Sequence, residues 1–226
     1  MTKTIGVAIP CYDKHIELLK ILLDSINTQT IIPNIVVVSC SSTKGFTLNT
    51  TYKFNLKIVT SEKLQNAAEN RNIAAKYINT DIIAFFDADD IMHPQRTEII
   101  LNIFNTLNID ILYHNGITDK RLFSNPFEKI NYVNVVYNEL KHGRGCVTHT
   151  NHNRGIILHG HVTVNTRIYN MVKFKEDYKH NLCDDSNFGY DVLNLPNIKS
   201  AYVSNPLSKY THGRSMEIFD ENLKKI

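Results

Sequence analysis

The stretch Asp81-Ile82-Ile83-Ala84-Phe85-Phe86-Asp87-Ala88-Asp89-Asp90 is an apolar run that ends in three carboxylates within four positions. An apolar run of this length predicts a strand that is buried on both faces of a sheet. Carboxylates crowded at the end of such a strand repel one another unless a cation or hydrogen-bond donors compensate them. A hard divalent cation held by oxygen, Mg²⁺ or Mn²⁺, is the simplest partner. The stretch therefore predicts a central strand that leads into a metal site.

The three aspartates also have a plainer interpretation. An isolated Asp-x-Asp is more often a solvated acidic turn, and Asp90 would then cap the next helix. We expect an extended segment in which Asp87 and Asp89 share one face, because side chains alternate with period two. The apolar strand before them and the motifs elsewhere in the chain favour the metal site.

Composition limits the classes of protein to consider. The chain has 226 residues, of which 42% are hydrophobic and 21% charged, as is typical of a soluble globular domain. A net charge of +3 without a Lys/Arg cluster does not predict a nucleic-acid partner, although it suits a polyanionic small ligand. No apolar run reaches the length of a membrane span. We expect a cytoplasmic protein, in the host cytoplasm if a virus encodes it.

Predicted strands and helices alternate along the first half of the chain. The strands cover 5–9, 35–38, 56–59, 81–86 and 109–114, and the helices cover 14–27, 64–78 and 94–107. This alternation predicts βαβ units and a mostly parallel sheet, in which ligands bind beyond the carboxyl ends of the strands. Pro10 is expected to stop the first strand. Pro10, Tyr12, the polar loop after the second strand with Ser39 and Ser41, and the aspartates all fall at that edge.

The second half of the chain is less regular. Residues 116–155 are polar and loop-rich, and a long irregular stretch inside a compact domain is usually functional or mobile. Order returns with a predicted strand over 155–164, a helix near 166–172, a helix that follows Asp184 and a strand over 201–203.

Several common nucleotide and metal motifs are absent from the sequence. No G-x-G-x-x-G follows the first strand, and the chain contains no G-x-x-x-x-G-K-[ST]. A bound nucleotide would therefore depend on a metal at its phosphates. The histidine pairs His149-x-x-His152 and His159-x-His161 lack the additional ligands at set spacing that zinc sites use, which favours polar loop residues.

Five motifs, in this order, resemble those of glycosyltransferase family 2, whose members have the GT-A fold. They are Val7-Ala8-Ile9-Pro10-Cys11-Tyr12, the helical segment 65–72 with Asn70-Arg71-Asn72, Phe86-Asp87-Ala88-Asp89-Asp90, Asp184-Asp185 with Phe188, and Tyr210-x-His212-x-x-Ser215. The resemblance covers nearly the whole chain. It implies an α/β, Rossmann-like single domain over 1–226, with a mostly parallel central sheet flanked by helices. Residues 1–114 would bind the nucleotide sugar, and the smaller mixed part, 115–226, would bind the acceptor and carry the catalytic base.

The resemblance also implies an activity. A sugar would move from a UDP- or GDP-linked donor to a hydroxyl of a glycan, a protein or a small molecule, with inversion at the anomeric carbon. Mn²⁺ or Mg²⁺ would be the cofactor, held by Asp89 with Asp87 and His212. Asp185 would be the general base that deprotonates the acceptor, and Asp184 its carboxylate neighbour.

The remaining site residues follow from the same resemblance. Arg71 would pair with a phosphate or with the edge of the base, which suits a planar, always charged guanidinium. Contacts to the donor sugar or the acceptor would come from Asp90, His159, Gly160 and His161. The nucleotide-binding set would be Pro10, Tyr12, Ser39, Ser41, Asn66, Arg71, Asp87 and Ala88.

The sequence departs from the family at two places. The second strand of the family usually ends in acidic residues, one of which reads the base, whereas this chain has Ser39-Cys40-Ser41-Ser42. The loss of that carboxylate leaves guanine open as the base alongside uracil. The family's Glu-Asp motif is Asp184-Asp185 here, with a side chain shorter by one methylene.

Two other functions are weighed against this one. A sugar nucleotidyltransferase should have a Gly-rich, Arg-bearing loop after the first strand, and Pro10-Cys11-Tyr12-Asp13 is unlike such a loop. A catalytically inactive domain that binds sugar nucleotides or glycans would share the fold but would not turn a donor over. The presence of Asp87, Asp89 and Asp185 together argues against that second alternative.

Overall fold

A computed structural model describes residues 2–143, 146–149, 155–177 and 183–211 of the chain. The strands are β1 (Ile5–Tyr12), β2 (Ile35–Ser41), β3 (Asn55–Thr60), β4 (Ile82–Phe85), β5 (Ile91–Met92), β6 (Ile111–Ile117), β7 (Val135–Tyr137), β8 (Leu140–Gly143), β9 (Cys146–His149), β10 (Thr163–Asn165) and β11 (Ser200–Lys209). The helices are α1 (Ile16–Asn27), α2 (Ala67–Lys76), α3 (Arg96–Thr106), α4 (Thr166–Met171) and α5 (Asp184–Leu193). In the part of the chain described here, no helix is long and apolar enough to span a membrane.

One large sheet has the strand order β3-β2-β1-β4-β10-β6-β11-β5, and β7 also pairs with β11. β3, β2, β1 and β4 are mutually parallel, and so are β6 and β11. β10 lies antiparallel between β4 and β6, while β5 and β7 pair antiparallel with β11. β8 and β9 pair separately. The predicted α/β fold with a mostly parallel central sheet and a more mixed second half is confirmed.

Helices cover both faces of the sheet because its strands are apolar on both faces. Alternate residues of β1 enter different cores: Ala8 packs with side chains of α2, α4 and α5, whereas Val7 and Ile9 pack with those of α1. α3 packs over β4, β6 and β11 in a third cluster. This arrangement leaves the carboxyl ends of β1, β2 and β4 at one edge of the sheet, where Asp87–Asp90 follow.

β1 and β2 extend further than the sequence predicts, and so do β6 and β11. β1 does not stop at Pro10 but continues to Tyr12, and β2 continues through Ser41, so Ser39 and Ser41 are strand residues and not loop residues. β4 pairs with β1 only over Ile5–Ala8, so that side of β1 is unpaired at Pro10. A residue without an N–H is tolerated there.

The second half of the chain differs from the predictions in detail. The strand predicted over 155–164 is only the short β10, and a 3₁₀ turn at His159–His161 precedes it. The irregular region 116–155 contains the short strands β7, β8 and β9. Short polar strands such as Leu140–Gly143 lack the apolar alternation that identifies a strand in a sequence.

An aromatic cluster attaches α5 to the sheet, and it provides a test of the fold. Phe188 of α5 is 1% exposed and stacks on Phe174 with ring centroids 4.2 Å apart. Phe85 of β4 lies against Phe174 at 4.8 Å. We expect Phe188→Ala to lower the free energy of unfolding by about 3–5 kcal/mol, measured by urea denaturation, because it leaves a large buried cavity. Ile21→Ala is the control, since Ile21 is 51% exposed and should change stability little.

Candidate active site

The aspartates after β4 form a tight turn and not an extended segment. The N–H of Asp90 donates to the carbonyl of Asp87 at 3.3 Å, as in a β-turn. The predicted alternation, with Asp87 and Asp89 on one face, is therefore wrong. The turn directs the carboxylate of Asp90 back towards Asp87, and Asp89 is partly exposed.

The three carboxylates are crowded, and their pKa values reflect it. Burial, with the charges of Asp90 and Asp87, raises the pKa of Asp89 to about 7. Burial and the charge of Asp87 also raise the pKa of Asp90 well above its usual value. Burial opposes ionisation of Asp87 as well, but the charge and hydrogen bond of Arg71, together with the neighbouring His161 and His15, lower the pKa of Asp87. A cation at this turn would relieve the repulsion.

The residues at the turn fit a divalent metal. Asp90 and His161 are buried, and Asp90 Oδ2 lies 2.8 Å from His161 Nε2, yet the two atoms are not aligned for a hydrogen bond and neither has another partner among the described residues. One ligand atom each from Asp87, Asp90 and His161 lies within 4.8 Å of the other two. Buried polar atoms without partners are costly, and two carboxylates with an imidazole suit Mn²⁺. His212, predicted as a ligand, lies outside the described residues.

Other contacts hold His161 and Asp90 in place. The ring of His161 stacks on Phe86 with centroids 4.0 Å apart, and its Nδ1 lies 3.1 Å from the hydroxyl of Ser208. The N–H of Thr211 donates to Asp90 Oδ1 at 2.6 Å. The end of β11 is thereby joined to the aspartate turn.

Arg71 lies between the two acidic motifs. Its Nη2 donates to Asp87 Oδ1 and its Nη1 to Asp184 Oδ2, both at 2.6 Å. The side chain is 4% exposed and lies over the ring of Phe174. Burial keeps the pKa of Asp184 above its usual value despite the neighbouring cation. The structure thus joins α2, the aspartate turn and the start of α5 through one guanidinium.

A cavity of about 320 Å³ opens beside these groups. It brings together two of the predicted acids, Asp87 and Asp185, which lie far apart in the sequence. The remaining lining residues are Thr118, Ile156, Ile157, Leu158, His159, Gly160, His161 and Tyr210. A pocket with convergent carboxylates and imidazoles is suited to binding a sugar and accepting a proton.

Several residues predicted to bind the nucleotide have other partners in the structure. The hydroxyl of Ser39 donates to Asn70 Oδ1 at 2.8 Å, and the side-chain amide of Asn70 donates to the hydroxyl of Ser41 at 3.1 Å. Asn66 is the N-cap of α2. Its side chain accepts from the N–H of Glu69 at 2.8 Å, and the Glu69 carboxylate accepts from the N–H of Asn66. These polar groups are buried, whereas Tyr12 remains partly exposed at the edge.

Sequence reasoning did not select Tyr210 or Thr118 as site residues. Both line the cavity, and burial together with nearby carboxylates raises the pKa of Tyr210 to about 12, so its phenol stays protonated at neutral pH. Tyr210 belongs to the late motif that includes His212, which could have indicated it. Thr118 follows β6 directly, and no local pattern in the sequence distinguishes it.

Gly160 provides a test of the site in which no charged residue is itself replaced. A Cβ built at this position overlaps the carboxylate of Asp87 and lies 3.1 Å from Arg71 Nη2. We expect Gly160→Ala to displace Asp87 and to lower activity at least tenfold, measured as nucleoside diphosphate release from a sugar nucleotide. The matched control is Gly6→Ala, whose Cβ would lie 2.5 Å from Ile78, a residue of the same core as Ala8 that does not line the cavity. It should lower the melting temperature but not kcat.

The family description that matches this chain is Glycosyl transferase family 2, over residues 6–191. An uncharacterized glycosyltransferase of Haemophilus influenzae is 29% identical over 112 residues, which are 49% of this chain and 38% of that protein. UDP-Glc:alpha-D-GlcNAc-diphosphoundecaprenol beta-1,3-glucosyltransferase WfgD of Escherichia coli is 34% identical over 100 residues, or 41% of this chain and 37% of WfgD. The matched segments thus span less than two fifths of these curated relatives.

Solved structures of similar fold agree with this match. S. aureus TarS 1–349 in complex with UDP has a TM-score of 0.67 and 18% identity, and the match covers 92% of this chain and 60% of that one. The mannosyltransferase PcManGT from Pyrobaculum calidifontis, in complex with GDP-Man and Mn²⁺, has a TM-score of 0.61 and 15% identity, covering 95% of this chain and 58% of that one. At such identities the likeness concerns the fold. The family match extends over most of the sequence, and this chain belongs to glycosyl transferase family 2.

Proposed function

We propose that this chain transfers a sugar from a nucleoside-diphosphate sugar to a hydroxyl acceptor, with inversion at the anomeric carbon. The observation that carries the proposal is the cavity in which Asp87, from the aspartate turn, and Asp185, from the start of α5, line one space. One wall thus offers a carboxylate at the edge where nucleotides bind in such sheets, and the other offers a candidate base. The family match supports the same reaction.

In this proposal Asp185 accepts the proton of the acceptor hydroxyl. Its carboxylate lines the cavity, and the N–H of Ser186 donates to its Oδ1 at 2.7 Å, which orients the group. Asp184 is not proposed as the base, because its buried carboxylate is bound by Arg71. His159, Gly160 and His161, which also line the cavity, would contact the donor sugar or the acceptor.

The nucleotide is proposed to lie over the carboxyl ends of β1 and β4, against Pro10, Tyr12, Asp87 and Ala88. Both UDP and GDP are candidates: the name of WfgD includes a UDP-linked donor, and PcManGT was crystallised with GDP-Man. Ser39, Ser41 and Asn66 would reach the base only if their present hydrogen bonds opened. Contacts of these three residues with the base stay predictions.

A divalent metal, Mn²⁺ or Mg²⁺, is the proposed cofactor. When bound, it would supply Lewis-acid stabilisation of the departing diphosphate. The proposed ligands are Asp89, which is the nearest to solvent, Asp87 and His212. Among the described residues, Asp87, Asp90 and His161 form an alternative ligand set. Asp89 is favoured because it is partly exposed, whereas the side chain of Asp90 is fully buried.

A panel of UDP- and GDP-sugars, each with and without Mn²⁺, tests the donor class by thermal shift. A donor at one hundred times its Kd stabilises the native state by about 2.7 kcal/mol. For a chain of this size, that corresponds to a rise of about 5–10 °C in Tm. We expect one nucleotide to give this shift and to need the metal. The absence of any shift across the panel would contradict the proposal, and a shift without turnover would favour an inactive binding domain.

A further inference from the structure

Arg71 binds two carboxylates of the protein, which indicates a role other than contact with a phosphate. The sequence predicts a phosphate or base contact, but both of its terminal nitrogens donate to carboxylates of the protein at 2.6 Å, and the side chain is 4% exposed. A guanidinium presents its donors in a rigid plane, so its two partners are fixed relative to each other. Those partners are 16 and 113 residues away in the chain.

The two carboxylates that Arg71 binds belong to the two acidic motifs of the site. Asp87 begins the aspartate turn, and Asp184 is the first residue of α5, directly before Asp185. The cap residue Cys183 makes no side-chain hydrogen bond to α5. Within the described part of the chain, the ion pair with Arg71 is therefore the polar side-chain contact that anchors this helix start to the sheet edge.

Nearby residues restrict the guanidinium to this position. Arg71 lies over Phe174, which stacks on Phe188 of α5. Gly160 leaves the space that the Asp87 carboxylate and Arg71 Nη2 occupy. The neighbouring Asn72 also ties α2 to the Phe174 segment, since its amide donates to the carbonyl of Phe174 at 2.9 Å.

We propose that Arg71 is a positioning residue, which holds Asp185 at a fixed place relative to the aspartate turn by binding Asp87 and Asp184 together. This inference rests on the proposed function for its effect on catalysis. Misplacement of a catalytic group by about 1 Å can cost a hundredfold in rate. Loss of Arg71 therefore lowers kcat, whereas loss of a phosphate ligand would first weaken nucleotide binding.

The test compares Arg71→Met, Arg71→Lys and Asp184→Asn with Arg167→Met. Arg167 pairs with the buried Asp110 and does not line the cavity, so its variant removes an arginine–aspartate pair elsewhere, one in which the arginine is 65% exposed. We expect Arg71→Met to lower kcat about a hundredfold, and Asp184→Asn, which leaves the contact of Arg71 with Asp87 in place, to do so while the Kd of UDP or GDP with Mn²⁺ changes less than about threefold. Arg71→Lys should retain intermediate activity, since an ammonium cannot bind both carboxylates in the same plane. Arg167→Met should keep the wild-type kcat.

Hydrogen exchange tests whether Arg71 anchors the start of α5 without requiring any catalysis. We expect Arg71→Met and Asp184→Asn to speed amide exchange at 185–189 in the protein without ligands, and Arg167→Met not to do so. This comparison remains decisive even if the wild-type chain turns no donor over. Unchanged exchange at 185–189, or a nucleotide Kd weakened more than about tenfold with kcat preserved, would overturn the positioning role. If Arg71→Met does not fold, Arg71→Lys and Asp184→Asn provide the same comparison.

Discussion

Asp185→Asn is expected to lower the rate of sugar transfer by about 10²–10⁴-fold, the usual contribution of a general base. The amide keeps the size of the side chain and can still accept the N–H of Ser186, but it cannot take the proton of the acceptor. Since Asp185 lines the cavity and is proposed to face the acceptor, the Kd for the nucleotide should stay near that of the wild type. Initial rates with the donor identified by thermal shift, combined with calorimetric nucleotide binding, measure both quantities.

Asp191→Asn is the matched control for this prediction. Asp191 lies on the same helix and pairs with Lys175 at 2.7 Å, at a partly exposed position that does not line the cavity. An exposed pair of this kind contributes little to stability, so this variant should retain wild-type rates. Asp185 is not the base if Asp185→Asn keeps more than about a tenth of the wild-type kcat.

Removal of the divalent metal is expected to have the other large effect. With a chelator present, transfer should fall below detection and the stabilisation of the protein by its donor nucleotide should disappear. The crowding of Asp87, Asp89 and Asp90 is the physical reason: without a cation, burial and mutual repulsion raise the pKa of Asp89 and of Asp90, and these acids then offer the diphosphate no positive partner. Activity and thermal shift should return together when Mn²⁺ is added back.

Single variants identify the ligands of that metal. Asp89→Asn is expected to weaken Mn²⁺ binding at least tenfold in a calorimetric titration, because this partly exposed carboxylate can face both metal and solvent. The matched comparison is Asp81→Asn. Asp81 directly precedes β4, at the end away from the aspartate turn, and its carboxylate accepts from the N–H of Thr4 at 2.8 Å. Loss of Mn²⁺ binding in Asp90→Asn and His161→Gln, with Asp89→Asn unaffected, would assign the cation to the buried set instead.

The alternation of strands and helices could be predicted because buried parallel strands are apolar along their whole length. Ile82–Phe85 and Val36–Val38 are such runs, and both lie where the sequence predicts. The short strands were not predictable in this way. Ile91–Met92 forms a strand because β11 provides a partner for it, and nothing in two residues specifies that pairing.

Part of the cavity lining could be selected from the sequence, but its geometry could not. The sequence selects Asp87, Asp185, His159, Gly160 and His161, and all five line the cavity. Alternation along a strand does not apply once the chain turns, so the approach of Asp90 to Asp87 was missed. The partners of Arg71 come from two distant segments, and only the folded chain shows that it binds carboxylates.

The most direct test of the account is the release of nucleoside diphosphate from UDP- and GDP-sugars by the wild-type chain, with and without Mn²⁺. We predict metal-dependent release from donors of one base, faster with a hydroxyl acceptor and lost in Asp185→Asn. Metal-dependent binding of a sugar nucleotide without release of its diphosphate, across all donors and acceptors, would contradict the catalytic role of the cavity.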